Sequence, residues 1–280
     1  GAAGGVAHAA GKAVGAGGVE GLDGGAWGAG VEGAGGKRVK SIIVTGASQG
    51  IGRATAVAFL DAGWRVGVLA RSEEKLQAIA DEYVNAVPLV ADVTDAAAME
   101  SAFARFVARA ERLDALFNNA GMFGPAGSID EIDLGGFDQV LDVNVRGMFI
   151  AAKLASAPLL RRVPQGGRII NNGSRSAQVT REGAVCYTLT KQAVTGLTRA
   201  LSLDGRPYDI ACGQIDIGNA ETDMVAGLNA ALVADGKAPN ATMDVQDAAR
   251  SVLHMAEMSL NANVQFMTVM ATKMPYIGRG

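Results

Sequence analysis

The chain is 280 residues long, 49% of them hydrophobic, with a net charge of −3 and a pI near 5.5; that length fits one large domain around one core. Mild acidity argues against nucleic acid as the main partner, and no apolar run reaches the roughly 18 residues of a membrane span. Cys186 and Cys212 show neither CxxC spacing nor neighbouring histidines, so no metal is assigned and a soluble cytoplasmic protein is expected.

Residues 1–36 are overwhelmingly glycine and alanine. They have much backbone entropy to lose and little to bury, which predicts a disordered tail outside the fold. They also lack the basic start and continuous apolar run of a signal peptide. From Val39 the pattern changes. Short apolar runs predict strands at "SIIVT" (41–45), "RVGVLA" (65–70), "AVPLV" (86–90), "ALFN" (115–118), "RIIN" (168–171), "IACGQIDI" (210–217) and "QFMTVM" (265–270), most with turn or helix signals nearby.

Helical patterns separate these runs. The clearest spans Asp95 to Ala110, where Met99, Phe103, Phe106 and Val107 recur at helical spacing. Strands alternating with helices imply an α/β fold: a doubly wound, parallel, seven-stranded, Rossmann-like sheet with helices on both faces, whose ligands bind at the carboxyl ends of the strands.

At the first such end, "TGASQGIG" supplies Gly46, Gly50 and Gly52 ahead of a helix starting near Ile51. Glycines permit a tight turn and close backbone approach, and the helix N-terminus offers free N–H groups to a pyrophosphate. A plain strand-to-helix turn is the other reading of these three residues. Further on, "YTLTK" places Tyr187 and Lys191 four positions apart, hence on one face of a helix. That pairing is either a surface accident or a tuned acid.

Taken together, "TGASQGIG", "NNAG" (118–121), "NVRG" (144–147), Ser174, "YTLTK" and "GNAETDM" (218–224) resemble the successive motifs of the short-chain dehydrogenase/reductase superfamily, in its single-domain branch. The likeness runs from about Val39 to Gly280. It implies an oxidoreductase that interconverts a carbonyl and a secondary alcohol by hydride transfer. Tyr187 would be the general acid/base, and an adjacent ammonium together with the cofactor's positive nicotinamide would lower its phenol from about 10. Lys191 would bond the nicotinamide ribose, Ser174 the reacting oxygen, and Asn144 a water leading to solvent.

The same resemblance implies cofactor contacts. Gly46, Ser48, Gln49, Gly50, Ile51 and Gly52 would contribute from the first loop, and Asp92, beside Val93, would meet the adenine amino group. Asn118 would brace the sheet while Ala120 and Gly121 approach the cofactor. In the sixth loop Gly218 would permit a close turn, and Ala220 and Thr222 would meet the carboxamide. At the end of the second strand stands Arg71, where an acidic residue would select NAD. An arginine there favours the 2′-phosphate of NADP, with NAD as the alternative, since Gln49 stands where many NADP-dependent relatives carry a base.

Two departures stand out: Ile217 occupies a position where relatives carry proline, restoring an N–H donor, and the C-terminal segment lacks a common glycine pair. A substrate lid is expected at about 222–244, loop-rich near Gly236 and Pro239. The resemblance also implies a homotetramer built on helices at about 137–160 and 187–203, where Ala151, Ala152, Ala155, Ala193, Gly196 and Ala200 would allow close packing. Two other functions compete with a small carbonyl or alcohol substrate. One is reduction of 3-oxoacyl thioesters, suggested by the likeness of "ETDM" to fatty-acid-synthesis reductases; Arg175 or Arg181 could meet its anionic carrier, though each also reads simply as a solvated charge. The other is a dinucleotide-sensing protein that has lost its chemistry.

Overall fold

The computed structural model describes residues 38–161 and 165–276; the glycine- and alanine-rich stretch lies outside the described residues. Strands β1 (Ser41–Thr45), β2 (Arg65–Ala70), β3 (Ala86–Val90), β4 (Ala115–Asn118) and β6 (Ile210–Ile217) have their predicted bounds, whereas β5 extends to Gly167–Asn172 and β7 shrinks to Phe266–Val269. They form one seven-stranded parallel sheet in the order β3-β2-β1-β4-β5-β6-β7. The chain leaves β1 toward β2 and β3, then returns to β4 on the other side of β1. This reversal opens a crevice at the carboxyl ends of β1 and β4.

Both faces of the sheet are covered, because alternate strand residues point to opposite sides. Ile42, Val44, Val66 and Val68 pack with Phe59 of α1 (Gly50–Asp61), Leu76 and Ile79 of α2 (Glu73–Glu82), and Val252 and Met255 of α8 (Val245–Glu257). Ile43, Leu69, Leu89 and Leu116 pack with Met99, Phe103 and Phe106 of α3 (Ala96–Ala110) and Ala151, Ala155 and Leu159 of α5 (Met148–Arg161). Each large aliphatic or aromatic side chain so buried contributes roughly 1.5–3 kcal/mol of transfer free energy. Asp95 caps α3, its carboxylate accepting from the N–H groups of Ala97 and Ala98 at 3.0 and 3.1 Å.

Two segments differ from expectation. The helix expected at about 137–160 is broken: α4 (Leu134–Leu141) runs into a π-helical turn at Asp142–Gly147 before α5 begins. Such turns insert an extra residue and redirect side chains. Ala151, Ala152 and Ala155 are buried within this chain, so their small size serves packing onto its own sheet, while Gly196 and Ala200 of α6 (Val185–Gly205) are exposed. The expected lid is more helical than foreseen, with α7 at Asp223–Ala234. Its following loop is tied back by Asn229, whose side chain accepts from the Asn240 N–H at 2.9 Å and donates to the Asn240 carbonyl at 3.2 Å. No helix among the described residues is long and apolar enough to cross a membrane.

Candidate active site

The crevice at the β1/β4 switch is a cleft of about 680 Å³. Its floor is the loop between β1 and α1, where Gly46 and Gly50 take φ of +68° and +53°, values that side chains with a Cβ rarely adopt. Gly52 is required by proximity: a Cβ there would sit 2.1 Å from the Gly46 carbonyl oxygen. No side chain caps the start of α1, and its first turn carries no acid. Its N–H groups therefore face the cleft with the helix dipole's positive end, a cradle that suits a pyrophosphate. Ser48, Gln49 and Ile51 line the same floor, and Thr222 closes over it, its methyl 3.3 Å from where a Gly50 Cβ would lie.

The strand ends behind this loop are knitted together by amides. Thr45 Oγ1 accepts from the N–H groups of Asn119 and Ala120 at 2.8 and 3.0 Å, and the Asn119 side chain donates to the Thr45 carbonyl at 2.9 Å and accepts from Asn172 at 2.8 Å. Asn118 points into the sheet, donating to the Met148 carbonyl at 2.8 Å and to Asn171 at 3.2 Å. Asn118 thus lies within the sheet, and Asn119, which the sequence did not single out, lines the cleft with Ala120 and Gly121.

At one end of the cleft lie Arg71, Lys75 and Asp92. The Arg71 guanidinium is 3.8 Å from Asp92 and largely exposed. Burial works against the Asp92 charge, yet Thr94, donating from its N–H and hydroxyl at 2.9 and 2.8 Å, and the neighbouring Arg71 hold its carboxyl below the ordinary value. Val93 lines the cleft beside it. Lys75, which sequence reasoning passed over, reaches Gln49 Oε1 at 3.5 Å. Its signal was the spacing: four residues after Arg71 and at the start of α2, it returns toward the same loop.

At the other end stand Ser174, Tyr187 and Lys191. Helix α6 buries Cys186, Thr190, Val194 and Thr198, and Tyr187 and Lys191 are carried into the cleft beside that stripe. Lys191, 3% exposed, donates to the Asn172 carbonyl at 2.8 Å and sits 5.5 Å from the Tyr187 ring centroid. Burial pushes its ammonium down to about 8, with Asp216 holding it up. Burial pushes the Tyr187 phenol up, against the pull of the Ser174 hydroxyl and the Arg181 charge. The Lys191 ammonium lies over the Tyr187 ring face and donates to the Asn172 carbonyl.

Asn144 is fully buried in the π-helical turn, its amide accepting from the Met122 N–H at 2.8 Å and donating to the Met122 carbonyl at 2.7 Å and Thr190 Oγ1 at 3.1 Å. It therefore joins the NNAG loop to α6, beneath the cleft surface.

The sixth loop forms the facing wall. β6 continues unbroken through Ile217, in register with Val269 of β7, so the absent proline extends the strand. Gly218, Ala220 and Thr222 line the cleft. The Thr222 hydroxyl accepts from the Val225 N–H at 3.3 Å, which leaves its own hydrogen to donate. Behind this wall lies Asp216, 1% exposed. Its oxygens accept from Gln214 at 2.7 Å and Gln178 at 2.9 Å, and it also takes the Ser174 N–H. A Cβ on Gly173 would come within 2.1 Å of this carboxylate. Burial raises Asp216, while Gln214, Ser174, Gln178 and Lys191 oppose the rise. The Tyr276 hydroxyl donates to Gln178, linking the C-terminal segment to the site.

The family model described as "short chain dehydrogenase" matches residues 40–232. L-fucose dehydrogenase of Oryctolagus cuniculus is 37% identical over 71% of this chain and 69% of its own. Sulfoacetaldehyde reductase 2 of Chromohalobacter salexigens is 29% identical over 83% of this chain and 94% of its own. A crystal structure of a short chain dehydrogenase from Burkholderia cenocepacia in complex with NADP superposes with a TM-score of 0.73 at 30% identity, covering 84% of this chain and 98% of that one.

Proposed function

The chain belongs to the short-chain dehydrogenase/reductase family, and on that premise we propose that it interconverts a carbonyl and a secondary alcohol with a nicotinamide dinucleotide. The observation that carries this reading is the convergence of Ser174, Tyr187 and Lys191 at one end of a cleft whose floor is the glycine loop and whose far end holds Arg71 and Lys75. The residues present fit a dinucleotide. The uncapped start of α1 suits the pyrophosphate, Asp92 is an acceptor for an adenine amino group, and Ala120, Gly121, Gly218, Ala220 and Thr222 border the nicotinamide end.

A bound nicotinamide supplies the hydride in reduction and takes it in oxidation. In the reductive direction the Tyr187 phenol, which burial keeps protonated, gives its proton to the carbonyl oxygen, and the Ser174 hydroxyl donates a second hydrogen bond to that oxygen. The remaining phenolate is favoured by the Lys191 ammonium above its ring face. Asn144 holds the NNAG loop against α6 and so fixes the height of Tyr187 relative to the cleft floor. Helix α7 and its loop, within 222–244, form the lid that decides which substrate enters.

The test is a turnover screen of ketones, aldehydes, sugars, steroids and acyl thioesters with NADPH and with NADH. Tight dinucleotide binding without turnover of any carbonyl compound would favour the sensing protein instead. Preference for 3-oxoacyl thioesters would identify the acyl-carrier reductase.

Assembly as a homotetramer rests on the outer faces of α5 and α6, where Phe149, Leu189 and Leu203 expose 57, 45 and 61% of their surface beside Gly196 and Ala200. A light-scattering mass four times that of the chain is expected at micromolar concentration, and a monomeric mass refutes it. The buried, free cysteines accord with the cytoplasmic location we propose.

Asp216 has a predictable influence on this chemistry. Its charge raises both Lys191 and Tyr187, so in Asp216→Asn both groups titrate at lower pH. The alkaline limb of the kcat/KM profile should move down from its wild-type position. A profile superimposable on wild type would show that the carboxylate does not act on the pair. Since burial raises Asp216 itself, the native state binds its proton more tightly than the unfolded chain. Its contribution to stability is therefore present at low pH and lost as pH climbs from the ordinary carboxylate value through the raised one, a slope the Asn variant lacks.

A further inference from the structure

Arg181 lies in the loop between Ser174 and α6 and lines the same end of the cleft as Tyr187. Its guanidinium sits over the Phe123 ring, 5.9 Å from the centroid, and that ring packs edge-on against Tyr187 at 5.0 Å. The guanidinium charge is near enough to act on the phenol. Arg181 Nε is buried without a hydrogen-bond partner, and among the described residues no carboxylate lies within ion-pair distance of this side chain. The acids that line the cleft are Asp92, beside Arg71 at the opposite end, and Asp223, in the first turn of α7. A partly buried arginine with an orphaned N–H, seated over an aromatic ring, is a fork for an oxyanion.

Resting on the oxidoreductase reading above, we propose that Arg181 binds an anionic group of the substrate, which is therefore a small oxo or hydroxy compound bearing a carboxylate or sulfonate close to its reacting carbon. Proximity fixes the separation: the reacting oxygen must reach Tyr187 and Ser174, and the anion must reach a guanidinium that shares the Phe123–Tyr187 aromatic pair. Phe123, Met224 and Leu228 line the cleft, so the short link between carbonyl and anion is apolar. A neutral sugar or ketone leaves the half-buried guanidinium without a counter-charge, a cost that discriminates against it.

The test compares matched substrates on the dinucleotide-loaded enzyme: pyruvate, acetoacetate and levulinate, their methyl esters, and the sulfonate counterparts of the acids. The anionic member of at least one pair should show the higher kcat/KM. The ratio of anionic to neutral kcat/KM should fall by ~10- to 150-fold in Arg181→Gln, the range for losing a charge-assisted hydrogen bond, and by less in Arg181→Lys, which keeps the charge. The ratio is the relevant readout, because any effect of Arg181 on the Tyr187 phenol touches both members of a pair equally. Esters preferred throughout, or a ratio unmoved in both variants, overturns the proposal. Calorimetric binding of the same acids separates the two readings. Oxo acids that bind the loaded wild type but not Arg181→Gln support the anion site even if no carbonyl compound is turned over, an outcome that counts against the oxidoreductase reading alone. Turnover of neutral ketones with no binding of any acid overturns the anion site and leaves the oxidoreductase reading standing. Whether carboxylate or sulfonate is preferred follows from the same titrations.

Discussion

Tyr187→Phe is expected to lower turnover by ~10²-fold or more while leaving dinucleotide affinity nearly intact. The substitution removes one oxygen and keeps the ring, so the edge-on contact with Phe123 at 5.0 Å and the packing under Lys191 survive. A positioned proton donor contributes ~10²- to 10⁴-fold, and the Ser174 hydroxyl cannot replace it, because a serine hydroxyl is a far weaker acid than a phenol. Burial raises the phenol and lowers Lys191 to about 8. The acid form needed for reduction is thus populated at neutral pH, and alcohol oxidation should be favoured as pH rises. Single-turnover kinetics with reduced dinucleotide, alongside fluorescence titration of its binding, check both halves. Turnover near wild type in a folded Tyr187→Phe variant removes the phenol from the chemistry.

Arg71→Asp should reverse the choice of dinucleotide. In the wild type the kcat/KM ratio of NADPH to NADH is expected to exceed one, because the Arg71 fork, largely exposed at the cleft end and only 3.8 Å from Asp92, is free to turn to a 2′-phosphate, with Lys75 as a second cation beside Gln49. A charge-assisted hydrogen bond is worth roughly 1.5–3 kcal/mol, or about 10- to 150-fold. Loss of the fork and addition of a repelling carboxylate both act against the phosphate, so the ratio should fall by at least that factor. Lys75→Ala should lower it less, since an ammonium is a single point of charge on a flexible stem. A wild-type ratio below one, or one that Arg71→Asp leaves unmoved, means that the phosphate is read elsewhere.

Most of the expected groups line one cleft, with Asn118 and Asn144 buried beneath it, because they depend on local rules. Strand bounds such as Ser41–Thr45 and Arg65–Ala70 follow from short apolar runs bounded by turns. The face shared by Tyr187 and Lys191 follows from helical spacing, and the glycine loop follows from backbone geometry. Asp216 was not among the expected site residues, although its signal lies in the strand pattern. Within "IACGQIDI" the strand period puts Gln214 and Asp216 on one side, an unusual pair for a strand buried along its whole length.

What the sequence by itself determined is the seven strands, the helical segments alternating with them and the chemistry carried by each loop, because these depend on neighbours a few positions away. What only the tertiary structure decided is burial, and burial depends on which elements, distant in the chain, are stacked together. Ala151, Ala152 and Ala155 read equally well as a subunit surface until α5 is laid on the sheet and covers them. Arg181 read as a solvated charge until Phe123, more than fifty residues earlier in the chain, came to lie under its guanidinium. Lys191 read as a fixed ammonium until the Asn172 carbonyl and the surrounding core removed its water and pushed it down to about 8. In each case the side chain's charge or size was legible from the start, and desolvation by distant segments determined what it does.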